Sequence, residues 1–356
     1  MKKTFWFVLV IILALIMLTG CGETPSGEVP EETPEEETPD ETPSAGGITS
    51  IGMGVVSSIG RSVDAGEEVN AIAQVDNVIV AGAFDAEGRI VEVIIDTAQT
   101  RVNYDEELQV VSDTAAEIKT KKELGADYGM IRASEIGVEW DDQIYALEEW
   151  MIGKTVDEVK AMGLQDDGSP EEADLATSVT ITVTDYIAAL EKAYANAFDV
   201  TAETVSFGLG HDVSIASSYG YSEENDILPR AQVDVILAAA AFDSEGRVVG
   251  VLIDTAQTRV NFDAEGAVTS DRAAEVKTKK ELGADYGMIR ASEIGREWYE
   301  QIASLEEWIV GKTLSEVLAM ELQEDGSPAD ADLVTSVTMT VSYYFTALQE
   351  AYDTAR

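Results

Sequence analysis

The stretch QVDNVIVAGAF (Gln74–Phe84), then the turn Asp85-Ala86-Glu87-Gly88, then Ile90-Val91-Glu92-Val93-Ile94-Ile95, decides how the chain folds. It alternates and is rich in Val and Ile, side chains that suit a pleated surface. Asp-x-x-Gly is turn chemistry, so the segment predicts an antiparallel hairpin. The hairpin returns as Gln232–Phe242, Asp243-Ser244-Glu245-Gly246 and Val248–Ile253. The spacing is 232 − 74 = 158 residues.

Working outward, the same offset carries Asp96–Arg101 onto Asp254–Arg259, both reading DTAQTR. It carries Lys119–Gly137 onto Lys277–Gly295 without a substitution, both reading KTKKELGADYGMIRASEIG. The two copies align from Ala73 and Ala231 onward with no insertion. Asn103–Val111 is expected to add a strand. Helical spacing then takes over, with Ile136, Trp140, Ile144, Leu147 and Met151 on one face and Ile294, Trp298, Ile302, Leu305 and Ile309 in the copy. Gly153 and Gly311 stop these helices. Thr155-Val156-Asp157-Glu158 and Thr313-Leu314-Ser315-Glu316 are capping-box starts. A last helix is expected over about 185–197, and over 343–354 in the copy. The fold class is therefore α+β: two tandem homologous domains, residues 48–199 and 200–356, each an antiparallel sheet packed with helices.

The N-terminus has a different character. Lys2-Lys3, an apolar run from Phe5 to Leu18, and Leu18-Thr19-Gly20-Cys21 describe a secretory signal over residues 1–20. The run is 18 − 5 + 1 = 14 residues long, short of the ~20 that span a bilayer. Residues 21–47 carry five prolines among Glu and Thr, with Val29 as the one large apolar side chain. Such a segment buries too little to offset the entropy of ordering, and is expected to be an extended, disordered acidic tether.

Charge and cysteine usage exclude several function classes. The formal net charge is −45, from 68 acidic and 23 basic residues, which argues against nucleic acid or an anionic membrane surface as partner. Cys21 is the single cysteine, so the body holds no disulfide, Cys metal cluster or thiol nucleophile. The single His211 stands at the 158-residue offset from Met53, which disfavours a repeated His-based hydrolase or metal site. Neither a catalytic residue nor a metal site is expected.

The repeated polar loops are the candidate site, because a core needs an apolar period and not two near-identical polar segments. Asp174-Leu175-Ala176-Thr177-Ser178-Val179-Thr180 recurs as Asp332-Leu333-Val334-Thr335-Ser336-Val337-Thr338. Thr180 and Thr338 fall a few residues before the last helix, where unpaired N–H groups favour an anion such as phosphate. The competing reading is that Thr177, Ser178 and Thr180 only help cap that helix or line a β-type turn. Lys119, Lys121 and Lys122, with Lys277, Lys279 and Lys280, are the densest basic cluster in an acidic body. They suit a phosphate or an acidic partner, or form an ordinary solvated face. Tyr128 and Met130, with Tyr286 and Met288, are candidates to pack on a planar ring or to anchor their loop. Trp140 and Trp298 read as core. Asp166-Asp167-Gly168-Ser169-Pro170 reads as a turn more than as an ion loop.

Asp-x-x-Thr-Ser-Val-Thr resembles the attachment motif of covalent FMN-binding domains, usually Asp-x-x-Ser/Thr-Gly-Ala-Thr. This chain has Ser178 and Ser336 for Gly, and Val179 and Val337 for Ala. Leu-x-Gly-Cys resembles the lipobox of bacterial lipoproteins. Lipobox, acidic tether and two repeats are together similar to the two-flavin lipoproteins of Gram-positive extracellular electron transfer. The resemblance implies lipidation at Cys21 and a chain held on the extracellular face of the cell membrane. It implies two FMN groups joined by a flavin transferase to Thr180 and Thr338 through phosphoester bonds. It further implies a non-catalytic carrier passing electrons from a membrane donor, a quinone or its dehydrogenase, to external acceptors. Asp174 and Asp332 are expected to serve the transferase during attachment. Thr177, Thr335, Ser178, Ser336, Tyr128 and Tyr286 complete the expected cofactor-binding set. The alternative function is a lipid-anchored solute- or peptide-binding protein without redox cofactor, which predicts one interdomain cleft or two unlike pockets. A structural or adhesion repeat would tolerate loss of Asp or Thr in one copy, and neither copy has lost them.

Overall fold

The computed structural model describes residues 47–201 and 203–356. The signal sequence, Cys21 and nearly all of the tether lie outside the described residues. The rest is α+β, with two antiparallel sheets and helices against each. In the first repeat, β1 (Ser50–Ser58), β2 (Ile72–Phe84) and β3 (Ile90–Asn103) form a meander, and β4 (Phe198–Asp199) pairs with the free edge of β1. Helices α1 (Lys121–Leu124), α2 (Trp140–Met151), α3 (Val156–Lys160) and α4 (Thr184–Ala195) follow β3 in the chain. The second repeat repeats the order with β5 (Thr204–Ser214), β6 (Arg230–Asp243), β7 (Val248–Asn261), α5 (Lys279–Leu282), α6 (Trp298–Ile309), α7 (Leu314–Leu318) and α8 (Ser342–Asp353).

The hairpin forms where the sequence places it. Asp85 Oδ1 accepts the Glu87 and Arg89 amides at 3.0 and 2.7 Å, and Gly88 takes φ +75°, which closes the turn. Both faces of β2 are buried, so its alternation does not separate core from solvent. Val75, Ile79, Ala81 and Ala83 face the other sheet, while Val78, Val80 and Phe84 face the helices. The second repeat divides Val235, Leu237, Ala239 and Ala241 from Ile236, Ala238, Ala240 and Phe242 in the same way. The central core therefore draws on both repeats, and the layers run helix, sheet, sheet, helix. Each repeat has the elements of a domain, yet they share a core and belong to one compact unit.

Three expectations change. The proposed strand over Asn103–Val111 is instead the end of β3 and a turn closed by a Tyr104–Val110 bridge, with Leu108 at φ 57°. The Trp140 helix does not include Ile136, because Gly137 at φ +67° breaks the chain before it, and Glu139 is the N-cap. β1 and β5 do not obey the 158-residue offset. Met53 pairs with Ala81 and Leu209 with Ala239, while Val55 pairs with Ile79 and His211 with Leu237. The counterpart of His211 is thus Val55, not Met53, at 211 − 55 = 156.

The sequence SIGMGVVSS over β1 and its relative SFGLGHDVS within β5 explain how the helices seat. A Cβ added at Gly52 would stand 2.0 Å from the Ala193 carbonyl oxygen, and one at Gly210 would stand 1.9 Å from that of Ala347. Glycine here lets α4 and α8 lie directly on the strand backbone. The capping boxes at Thr155 and Thr313 form as read. Trp140 and Trp298 are core, each 2% exposed, and their indole N–H groups donate to Tyr186 and Tyr344 at 3.1 Å. Among the described residues no helix is long and apolar enough to cross a membrane.

Candidate functional site

The repeated Asp-x-x-Thr-Ser-Val-Thr segment is a compact turn held by its apolar residues. Leu175, Val179 and Val183 recur every four residues and are buried against the helix–sheet core, as are Leu333, Val337 and Val341. The amides of Ser178 and Val179 both donate to the Leu175 carbonyl at 2.9 Å. Val179 and Val337 therefore fill core. The same winding leaves Asp174, Thr177 and Ser178 exposed, with Asp332 and Thr335 in the copy; Ser336 is half-buried and donates to the Leu333 carbonyl at 3.1 Å.

Thr180 is half-buried and fixed by a side chain that sequence reading missed. Its amide donates to Gln143 Oε1 at 2.9 Å and its hydroxyl lies 3.4 Å from that oxygen. Thr338 meets Gln301 in the same way, at 2.9 and 3.5 Å. Gln143 and Gln301 are fully buried on α2 and α6, and their Nε2 atoms donate to Ser134 and Ser292 at 3.3 and 3.2 Å. One glutamine thus joins the motif turn to the end of the repeated KTKKELGADYGMIRASEIG segment. A polar residue repeated within the apolar stripe of a helix was the available signal. Of the competing reading, the capping part does not hold, because the N-caps of α4 and α8 are Val183 and Val341 and make no side-chain cap; the turn part does, since Thr177 and Ser178 lie in a turn. The neighbouring Asp167 segment is a turn, with Ser169 N and Oγ on Asp167 Oδ1 at 2.9 and 2.7 Å.

The other repeated polar segments meet on one wall. Tyr128 abuts Trp140 edge-on at 6.5 Å, and its hydroxyl lies 3.4 Å from Gln99 Oε1. Lys121 Nζ sits 4.8 Å from the Tyr128 ring centre and 5.1 Å from that of Trp140. Lys279 repeats this over Tyr286 and Trp298 at 5.0 and 5.3 Å. In the second repeat, Arg259, Lys277, Lys279, Tyr286 and Met288 line an open cavity of about 440 Å³. DTAQTR and KTKKELGADYGM therefore converge, and they place three cations beside an aromatic and a thioether surface. Tyr128 and Met130 also pack against the core, so they anchor their loop as well.

The lysine cluster, by contrast, is split. Lys122 turns away from Lys121 and pairs with Glu148 Oε1 at 2.5 Å, as Lys280 does with Glu306. Glu148 is buried; it also accepts the Ile95 amide at 2.6 Å and Arg356 Nη2 at 2.8 Å.

A second polar cluster lies between the repeats. His211 Nδ1 is 2.9 Å from Glu350 Oε2, and Nε2 is 3.3 Å from Asp96 Oδ2 and 3.1 Å from Thr120 Oγ1. Burial of the ring opposes its charge, but hydrogen bonds and attraction from Asp96 and Glu350 prevail and raise the His211 pKa to about 10. Burial likewise opposes the Asp96 charge, and His211 overcomes it, holding that carboxyl below its usual range. The ligating atoms of Glu123, His211 and Glu350 lie within 4.8 Å of one another. Both ring nitrogens already face acceptors, however, and an imidazolium has no lone pair for a metal. Thr120 is the N-cap of a capping box with Glu123, a pattern present in KTKKE but not read there.

No family model matches the chain, and no solved structure matches it. Over 121 residues it is 31% identical to a chlorophenol reductase of Desulfitobacterium hafniense, covering 31% of this chain and 36% of that protein. The chain thus spans about a third of the length of the curated relative it matches.

Proposed function

We propose that this chain is a membrane-anchored extracellular flavoprotein that carries two FMN groups, on Thr180 and Thr338, and relays electrons from a membrane quinone or its dehydrogenase to external acceptors. The observation that supports it best is a repeated geometry. Each repeat holds one motif threonine half-buried on a buried glutamine, and leaves the motif aspartate on the surface. Each also sets a lysine over a tyrosine ring, Lys121 over Tyr128 and Lys279 over Tyr286.

The residues fit such a group. Thr180 and Thr338 supply hydroxyls for a phosphoester. Lys121 and Lys279 lie over aromatic rings where phosphate or a reduced ring gains from positive charge. A flavin supplies the electron chemistry, and the protein supplies placement and solvent access. A covalent link suits an open extracellular volume, where a dissociable cofactor is diluted away. Asp174 and Asp332 are exposed, which supports a part for them in recognition by a flavin transferase. The redox name of the similar chlorophenol reductase is in keeping with this reading.

The test is co-expression with a flavin transferase, followed by denaturation, fluorescence and intact mass. Two FMN adducts mapping to Thr180 and Thr338 are expected, with one lost in each of Thr180→Val and Thr338→Val and both in the double variant. Colourless protein, or adducts elsewhere, overturns the proposal. The alternative, a solute-binding protein, gains one observation, two unlike pockets between the repeats.

A further inference from the structure

Two pockets between the repeats are built from equivalent residues but filled differently. The smaller, about 270 Å³, contains Asp96, Lys122, Glu123 and His211. The larger, about 600 Å³, contains Asp254, Lys280, Glu281 and Val55 in the same places. Val55 stands where His211 stands, by the strand register. Phe198 replaces Arg356, and Tyr145, which lines the smaller pocket, is Ala303 in the other repeat. The changes remove an imidazole and a phenol, and the cavity more than doubles.

The charge left behind is specific. Asp254 is 6% exposed, and its Oδ1 accepts the Thr255 and Lys280 amides at 2.7 and 3.0 Å. Among the described residues Asp254 makes no ion pair, whereas Asp96 has His211. The neighbouring cations are engaged elsewhere, Lys280 with Glu306 and Lys192 with Glu281 at 2.7 Å. Burial raises the Asp254 pKa, and the Thr278 hydroxyl, the Lys280 and Thr255 amides and the Lys280 charge only partly offset it, the reverse of Asp96. Met53, Val55, Val251 and Leu252 supply apolar wall. A volume near 600 Å³, mostly apolar with a few convergent polar groups, is that of a small-molecule site.

We propose that this larger pocket binds a small organic cation, an ammonium or protonated nitrogen heterocycle on a compact apolar body, with its N–H directed at Asp254. In the smaller pocket His211 is the cation, held by the equivalent Asp96 and by Glu350, whose counterpart beside the larger pocket is Lys192. A buried carboxylate discriminates strongly for such a head, because a neutral or anionic ligand leaves it unpaired or repelled. The site is independent of the flavin reading and takes a different class of molecule.

The test uses benzylamine, benzyl alcohol and benzoate with the purified chain at neutral pH, in about 0.5 M salt so that the general negative field is screened. Calorimetry is expected to show one benzylammonium per chain, bound at least about tenfold more tightly than benzyl alcohol, with benzoate unbound. Asp254→Asn is expected to remove that tenfold preference, and Val55→His to abolish binding by supplying the imidazole found in the smaller pocket. Asp96→Asn leaves binding unchanged. Val310→Trp, at an exposed position on the pocket wall, blocks entry without altering the core if Val55→His folds poorly. No binding by the parent chain, equal affinity for the alcohol, or benzylamine affinity indifferent to Asp254→Asn in a folded variant each overturns the proposal.

Discussion

His211 Nε2 lies 3.3 Å from Asp96 Oδ2, a buried contact between residues 115 apart in sequence and in different repeats. It ties β5 of the second repeat to β3 of the first. With Glu350 on the other ring nitrogen, the imidazole is held as a cation between two carboxylates. A buried charge of this kind is costly to leave without its partner.

The pair sets a pH window for stability. The His211 pKa rises from 6.5 to about 10 on folding, so its contribution is complete below pH 6.5 and is lost as the pH climbs through 10. Asp96 is shifted down, so its contribution is present above 3.8 and is lost as the pH falls through the depressed value. Thermal midpoints of the parent chain are expected to fall between about pH 6.5 and 10, and His211→Gln to show less of that fall. Removing the ring while leaving Asp96 buried is expected to cost roughly 3–5 kcal/mol near pH 7. A variant with the parent's alkaline profile would place the proton elsewhere.

The glycines under α8 yield a second expectation. A Cβ at Gly210 meets the Ala347 carbonyl oxygen at 1.9 Å and the Ala351 amide at 2.5 Å, both backbone atoms that cannot rotate away. Gly210→Ala is expected to cost at least about 3 kcal/mol, at the upper end of overpacking effects. Gly311→Ala, with nothing within 4 Å but φ +85°, should cost less and only through backbone strain. Chemical denaturation of the two variants separates the mechanisms, and equal losses would mean that the helix is not seated as described.

The shared core changes what the tryptophan variants should do. Trp140→Ala and Trp298→Ala are each expected to cost ~3–5 kcal/mol, because each indole is buried and hydrogen-bonded. The central core takes Ile51, Ile79 and Val75 from one repeat and Phe207, Leu237 and Val233 from the other. Either variant should therefore shift one common unfolding transition. Two separate transitions, one of them unmoved, would show that the repeats fold independently.

The hairpin and the α+β class were legible because β-branched runs, Asp-x-x-Gly turns and i, i+4 spacing report local physics. The β1 and β5 strands were not, because Gly-x-Gly has poor strand propensity and its purpose, close approach of a helix, depends on residues about 140 positions away. His211 was read alone for a related reason. The matching of repeats by a constant offset fails across a two-residue length difference, and only strand register shows Val55 as its counterpart. In the candidate site, Thr180 and Thr338 were legible from recurrence. Gln143 was hidden because it sits among apolar neighbours on a helix face and acts on a turn 37 residues later.

That glutamine carries the last prediction. Gln143 Oε1 accepts the Thr180 amide at 2.9 Å and lies 3.4 Å from its hydroxyl, while Nε2 is spent on Ser134 at 3.3 Å and the Val138 carbonyl at 3.4 Å. Gln143→Leu keeps the bulk but leaves the buried Thr180 amide without an acceptor, a cost of about 1–3 kcal/mol to that turn. Under the flavin proposal, attachment requires the threonine oxygen to be presented in one geometry, so the variant should load the first repeat more slowly and the second at the parent rate. Gln143→Glu keeps an acceptor oxygen and should restore much of the loss. Time-resolved labelling mapped to each threonine is the measurement, with Gln301→Leu as the mirror case. Equal slowing at both threonines would point to a general loss of folding, and no slowing at either would remove the glutamine from any part in presenting Thr180.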